Sequence, residues 1–316
     1  MKDNWTLADI PPQHGKLAVI TGTGGLGYED ALALAQAGAQ VVLAGRNAAK
    51  GEAAIAKIKV LVPDAAISFA MLDLASLASV EAFAADFASR HERIDILINN
   101  AAVMALPTRQ ITADGFEMQI GTNFLGHFAL TARLLPLLRQ SATPRVIQLS
   151  SLAHRRGRIG FDDLQGERGY NAWSAYAQSK LAMLIFALEL QRRSDAQGWG
   201  LSSMAAHPGW ATTDLIANGP ATGGSKLLWR MTHLVAPLFS QSPAAGALPT
   251  LYAATAPEAE KAGYFGPNGF YELKGAPSRS KIVGEANDPA VAARLWEVAE
   301  RLTGVSFAQK TEAAAA

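Results

Sequence analysis

Six short, mainly apolar runs punctuate the first two thirds of this chain, and each of the first five is followed by a stretch long enough for a helix. The runs are Leu17–Thr21, Gln40–Ala44, Ala66–Met71, Ile94–Asn99, Arg145–Ser150 and Leu201–Ala206. They are apolar throughout rather than on alternate residues, which suits parallel strands buried on both faces. The intervening stretches, Tyr28–Ala37, Ala48–Val60, Ser79–Arg90, Phe116–Arg139 and Ser174–Arg193, are rich in alanine and carry helical periodicity. Strand and helix in alternation predict an α/β fold, a doubly wound parallel sheet joined by right-handed crossovers.

Of the 316 residues, 49% are hydrophobic and 17% charged. A charged share below the roughly 25% of ordinary soluble domains implies a large buried fraction and excludes disorder as the main state. The 28 Lys and Arg nearly cancel the 27 Asp and Glu, leaving a formal charge of +1. So weak a field gives no reason to expect nucleic acid or an anionic membrane as a partner. There is no cysteine, which rules out disulfides, thiolate catalysis and cysteine-ligated metal centres. The six histidines (14, 91, 127, 154, 207 and 233) lack metal-ligand spacing, so no metal is expected. Neither a secretory leader nor an uncharged apolar span of membrane length is present, and a cytoplasmic protein is the expectation.

The first strand runs into Thr21-Gly22-Thr23-Gly24-Gly25-Leu26-Gly27. A glycine cluster alone is equally a turn of small residues. Between a strand and a helix it lets backbone approach a pyrophosphate, which the helix N-terminus attracts with free N–H groups and a positive dipole end. The second strand ends Leu43-Ala44-Gly45-Arg46-Asn47, with no acidic residue to accept from a ribose 2′-hydroxyl. Arg46 instead offers a forked, charge-assisted pairing to a 2′-phosphate, so NADP(H) is expected rather than NAD(H). Asp73 and Leu74 follow the third strand, Asn100 and Ala101 the fourth, where they suit the adenosine half of the same nucleotide.

Tyr176 and Lys180 are four residues apart at the start of an apolar helix and therefore share a face. A free phenol titrates near pH 10, about three units too high for neutral proton transfer, and an adjacent ammonium lowers that value. Reducing a ketone creates an alkoxide that needs a proton, and such a tuned pair supplies it. Ser151, at the end of the fifth strand, can hydrogen-bond the substrate oxygen. Asn123 interrupts the long Phe116–Arg139 stretch, where asparagine is a poor helix former and can bend the axis.

Taken together these segments resemble the short-chain dehydrogenase/reductase family: glycine motif, Asp-Leu, Asn-Asn-Ala, Asn, Ser, Tyr-x-x-x-Lys, Pro208-Gly209 and Thr212 occur in the family's order, over residues 15 to about 305. The resemblance implies a single Rossmann-type domain over 15–305, with an N-terminal extension at 1–14, a substrate lid at about 210–245 and a low-complexity tail at 306–316. It makes Tyr176 the general acid/base, Lys180 its partner and ribose clamp, and Asn123 the anchor of a proton relay. Ser151, the second serine of its pair, would orient the carbonyl. Gly22, Gly25, Leu26 and Gly27 would meet the phosphates, while Pro208, Gly209 and Thr212 would contact the nicotinamide.

The segments Ser151–Gly157 and Tyr264–Gly269, with the 25-residue interval from Ser151 to Tyr176, look like the retinol dehydrogenase and protochlorophyllide reductase branch. That branch implies NADP(H) and a bulky hydrophobic ketone or secondary alcohol. Photochemical double-bond reduction is the alternative, and it is disfavoured because those enzymes carry a pocket cysteine. A non-catalytic NADP(H) sensor is a second alternative, opposed by the intact set Asn123, Ser151, Tyr176 and Lys180. Two departures stand out: the glycine motif is one residue short between Gly22 and Gly25, and Ala102 replaces the usual glycine.

Downstream, Trp210, Leu215, Leu227, Trp229, Met231, Leu234 and Phe239 suit a lid over a hydrophobic substrate, a helix packed on the sheet, or one resting on a membrane surface. The apolar helices around Phe128 and Leu184 suit either core or the interface of a homo-oligomer.

Overall fold

A computed structural model of the chain describes residues 4–211 and 240–307. Its centre is one eight-stranded sheet: β1 (Leu17–Thr21), β2 (Gln40–Gly45), β3 (Ile67–Met71), β4 (Ile96–Asn99), β5 (Arg145–Leu149), β6 (Ser202–Ala206), β7 (Tyr264–Pro267) and β8 (Pro277–Arg279). The strand order is β3-β2-β1-β4-β5-β6-β7-β8. The first seven run parallel, and β8 turns back antiparallel on β7. The chain winds outward from β1 to β3, then returns to the centre to start β4. The ends of β1 and β4 therefore open a crevice at the switch point, where ligands of such sheets bind.

Alternate residues of the central strands feed two separate cores. Val19, Val42, Leu97 and Val146 face one, with α3 (Leu77–Arg90), α5 (Gly126–Leu138), α6 (Ala172–Gln197) and α8 (Pro289–Thr303). Ile20, Leu43, Ile98 and Ile147 face the other, with α1 (Leu26–Gln36), α2 (Ala48–Leu61) and α7 (Pro243–Thr255). This is why the strands read as unbroken apolar runs: neither face meets water.

Several sequence expectations need correction. The turn-rich stretch Tyr264–Pro277 contains β7 and leads into β8. The N-terminal extension is not separate from the domain, because Trp5 is buried edge-on against Tyr252 of α7. Nor does the packed body stop at 305: Phe307 is buried among Phe128, Phe186, Trp199 and Trp296. The same cluster answers the question of a subunit face around Phe128 and Leu184. Both side chains are fully buried within this chain, with Trp296 of α8 packed on Phe128, so they are core.

Of the expected lid, residues 212–239 lie outside the described residues, together with Thr212, Leu215, Leu227, Trp229, Met231, Leu234 and Phe239. The residues flanking that segment are pinned to each other, with Ala211 bridging Gln241 and Gln241 N donating to Trp210 O at 2.9 Å. Among the described residues no helix is long and apolar enough to cross a membrane.

Candidate active site

The glycine turn is held open by close backbone packing. A Cβ on Gly27 would sit 2.6 Å from both the Gly22 carbonyl oxygen and Asn100 Nδ2. Gly22 has φ 93°, a conformation that only glycine adopts without strain. Around Gly24, by contrast, the space is empty to 4 Å. The N-terminus of α1 carries no side-chain cap, so its first N–H groups stay available. Leu26 packs toward Gly246 of α7. A pyrophosphate would find uncapped donors, a positive dipole end and no side chain in its way.

Asn100 braces this turn. Its Nδ2 donates to Thr21 O at 2.7 Å, and its backbone N–H and that of Ala101 donate to Thr21 Oγ1 at 2.9 and 3.0 Å. The Asn100 side chain thus belongs to the β1–β4 crevice itself, while its neighbour Asn99 is buried against Thr131 and Gln148. Asp73 closes a local turn by accepting from Ala75 N at 3.0 Å. The carbonyl of Leu74 lies where a Cβ on Gly126 would stand, 2.4 Å away, so only glycine lets α5 start there. Arg46 follows β2, exposed to solvent, with no hydrogen bond or ion pair among the described residues. Its neighbour Asn47 caps α2 by accepting from Lys50 N at 2.9 Å.

The long helix expected over Phe116–Arg139 begins instead with a short turn, α4 (Met118–Ile120), passes through a π-helical turn over Gly121–Leu125 and continues as α5. Asn123 is the middle residue of that π turn, the kind of irregularity that clusters at functional sites. Its side chain is buried: Oδ1 accepts from Val103 N at 2.8 Å, and Nδ2 donates to Val103 O and to Ser179 Oγ, both at 2.9 Å. Ser179 in turn donates to Tyr176 O at 2.8 Å. A direct hydrogen-bonded path therefore ties Asn123 to the helix that carries Tyr176 and Lys180.

The two serines after β5 divide their tasks. Ser150 is buried and donates to Lys180 O at 2.8 Å. Ser151 Oγ accepts from Ala153 N at 3.2 Å and lies near enough to the Tyr176 phenol to favour its phenolate. Lys180 Nζ donates to Leu149 O at 3.0 Å and stands 5.8 Å from the centre of the Tyr176 ring. Ser151, Tyr176 and Lys180 are thus gathered at the C-terminal end of β5, with Asn123 behind them.

The expected tuning of the phenol is not what the chain alone produces. Burial pushes Tyr176 up to about 12 against the opposing influence of Ser151, and it lowers Lys180 to about 8. Both groups are deep in protein, and desolvation of each outweighs the attraction of the cation for a phenolate. At neutral pH Tyr176 is a phenol, placed to give a proton.

Three contributors to the site escaped the sequence reading. His127, fully buried, bridges Thr21 Oγ1 at 2.9 Å and Asn123 O at 2.8 Å. It lies one helical turn after Asn123, the signal that could have exposed it. Ser179 adjoins Lys180. His207, immediately before Pro208 and Gly209, accepts Gly209 N–H at 3.1 Å and faces Glu272. Pro208 O accepts from Gln241 Nε2 at 2.7 Å, and Thr212 lies outside the described residues.

Comparison with known proteins agrees with this arrangement. The family model for short chain dehydrogenase matches residues 16–222. Human retinol dehydrogenase 13 is 45% identical over 305 residues, 94% of this chain and 86% of the relative. Mouse polyprenol dehydrogenase is 40% identical over 300 residues, 93% of this chain and 86% of the relative. Among solved structures, an uncharacterized protein from Mycobacterium paratuberculosis superposes with a TM-score of 0.79 at 39% identity, covering 97% of this chain and 100% of that one. The chain belongs to the short-chain dehydrogenase/reductase family of oxidoreductases, in its retinol dehydrogenase branch.

Proposed function

We propose that this protein is an NADP(H)-dependent carbonyl reductase or alcohol dehydrogenase acting on bulky, apolar substrates. The observation that carries the proposal is the buried Tyr176 ring with the Lys180 ammonium 5.8 Å from its centre and Ser151 beside its phenol, at the open end of the sheet. When bound, the cofactor supplies or accepts the hydride. Gly22, Gly25, Leu26 and Gly27 would hold its pyrophosphate, with Arg46 on the 2′-phosphate. Asp73, Leu74, Asn100 and Ala101 would line the adenosine, and Pro208, Gly209 and Thr212 the nicotinamide end.

In reduction, the Ser151 hydroxyl orients the carbonyl oxygen toward Tyr176, and the phenol gives its proton to that oxygen as it becomes an alkoxide. The Lys180 ammonium then faces the phenolate left behind and stabilises it, and it would also hold the nicotinamide ribose. Asn123, braced by Val103 and Ser179, holds the helix break through which a proton returns to Tyr176. A phenol kept protonated to about pH 12 suits the reductive direction at neutral pH. The relatives named for retinol and polyprenol support long isoprenoid aldehydes, alongside ketones, as substrates to test.

The test is oxidation of NADPH and of NADH with a panel of aryl ketones, long-chain ketones and isoprenoid aldehydes, for wild type and Tyr176→Phe. Turnover with NADPH that vanishes in the variant supports the reading. Cofactor binding without turnover on any of these carbonyls counts against it.

A further inference from the structure

Three loops at the substrate end of the sheet meet on one carboxylate. Glu272 lies on the short turn Phe270–Glu272 between β7 and β8, about a hundred residues from the catalytic tyrosine in sequence. Its Oε2 is 2.8 Å from His207 Nε2 and its Oε1 is 2.8 Å from an Arg155 guanidinium nitrogen. Arg155 belongs to the 3-10 turn Leu152–Arg156, whose first residue follows Ser151 and whose N-cap is the Ser151 hydroxyl. His207 begins the loop that continues into Pro208 and Gly209.

The hydrogen bonds define which proton sits where. Gly209 N–H donates to His207 Nδ1 at 3.1 Å, so Nδ1 is the acceptor of a neutral ring and the proton is on Nε2. That Nε2–H points to Glu272 and to Ser280 Oγ, 3.0 Å away. Burial by itself would raise the Glu272 carboxyl, but the His207 hydrogen bond and the Arg155 charge hold it at about 2, so it stays ionised. Glu272 thereby selects the tautomer that lets His207 hold the Gly209 amide.

Backbone geometry marks the same residue. Tyr271 and Glu272 have φ of 51° and 60°, two successive non-glycine residues in the left-handed region. Such conformations are strained and persist only where the surroundings enforce them. Gly209, at φ 62°, presses on this turn: a Cβ there would lie 2.3 Å from Leu273 O and 2.8 Å from Glu272 O. Trp210 N completes the contact by donating to Leu273 O at 2.8 Å.

We infer that Glu272 is a positioning residue for hydride transfer, locking the Ser151 turn through Arg155 and the Pro208–Gly209 loop through His207 into one rigid frame. The inference rests on the reductase reading above. In that reading Ser151 places the carbonyl and Pro208–Gly209 places the nicotinamide, so the frame sets the distance between hydride donor and acceptor. A displacement of about 1 Å at such a site costs on the order of 10²-fold in rate.

The two arms give separable effects. Arg155→Ala releases only the serine side: kcat for the carbonyl falls about tenfold while the NADPH dissociation constant, read by cofactor fluorescence, is unchanged. His207→Ala releases only the nicotinamide side and weakens NADPH binding about tenfold. Glu272→Ala shows both, a weaker cofactor and a kcat lowered by about 10²-fold, and the pair Glu272→Ala with His207→Ala binds NADPH no more weakly than His207→Ala alone. Glu272→Gln, whose amide oxygen still accepts from His207, restores cofactor affinity but not the full kcat.

Amide hydrogen exchange reads the same frame without turnover: Glu272→Ala speeds exchange in residues 151–156 and 207–210 together. A wild type that binds NADPH but turns over no carbonyl defeats the reductase reading, and exchange then decides the frame alone. Glu272→Ala that lowers only the melting temperature, with exchange, NADPH affinity and kcat within twofold of wild type, overturns the inference. So do additive losses in the double variant.

Discussion

His127 Nε2 and the Thr21 hydroxyl are 2.9 Å apart, joining the helix break at Asn123 to the end of β1 through a single buried imidazole. Asn123 O can only accept, so His127 carries its proton on Nδ1 and its Nε2 accepts from the Thr21 hydroxyl, which has only a longer second acceptor, Ile98 O at 3.4 Å. Burial holds the ring at about 3, with the Lys180 charge acting in the same direction, so it is neutral at every working pH. The imidazole serves here as a rigid two-ended connector rather than a proton carrier.

His127→Ala should therefore lower both stability and turnover without altering the pH profile between 5 and 9. Two buried partners lose their bonds, which costs about 1–3 kcal/mol for each unsatisfied group. Denaturant unfolding combined with a pH series of kcat/KM checks this. A profile whose inflection moves in the variant would show that His127 titrates after all.

Tyr176→Phe should reduce carbonyl turnover by at least about 10²-fold with cofactor affinity retained. For the wild type, the sign of the pH dependence follows from Lys180, which burial lowers to about 8. Below that value the ammonium is charged and stabilises the phenolate left by proton donation; as pH rises through it, the charge is lost. Reductive kcat at saturating NADPH should thus be level from pH 6 to 7.5 and fall above pH 8. Lys180→Met should be slow throughout and lack the fall.

The strand runs were legible because burial on both faces leaves no polar alternation to confuse them: all six begin or end on the expected residue. β7 and β8 were not, since Tyr264–Pro267 ends in proline, holds a glycine and has no β-branched residue, so only pairing with β6 reveals a strand. The candidate catalytic residues were visible through spacing along one helix. Their protonation was not, because the sequence pairs Tyr176 with Lys180 but does not show how deeply both are buried. Trp5 and Phe307 looked peripheral for a similar reason: near either end of the sequence, an isolated aromatic carries no periodicity to announce its place in the core. Glu272 acts through His207, 65 residues away, and through the still more distant Arg155, a relation that no local pattern contains; for His127 the spacing from Asn123 is local, but its tie to Thr21 is not.

Arg46 supplies the cofactor prediction. Arg46→Ala should weaken NADPH by about 10- to 100-fold, the worth of a charge-assisted hydrogen bond, and leave NADH unchanged. Arg46→Asp should go further and favour NADH, because a carboxylate repels the 2′-phosphate and accepts from a 2′-hydroxyl. Dissociation constants for both nucleotides by fluorescence titration decide it. A wild type that prefers NADH removes Arg46 from the site.

Asp30 is a buried carboxyl left unpaired among the described residues. It lies on α1, fully buried, and among the described residues neither carboxylate oxygen has a hydrogen-bond partner. Burial, reinforced by Glu29, raises its carboxyl well above 3.8. The folded state thus holds the proton more tightly than the unfolded chain. Stability from this group is complete below the unfolded value and declines as pH rises through the interval up to the folded value, by at most about 1.4 kcal/mol per pH unit. Asp30→Thr abolishes the titration, and its hydroxyl can donate to the carbonyl one turn back in the helix. The variant should gain at least about 1 kcal/mol over wild type at pH 8, and the gain should shrink toward pH 4 as the wild-type carboxyl becomes neutral in both states. Unfolding curves for the two proteins that stay parallel from pH 4 to pH 8 would mean that Asp30 has a partner in solution.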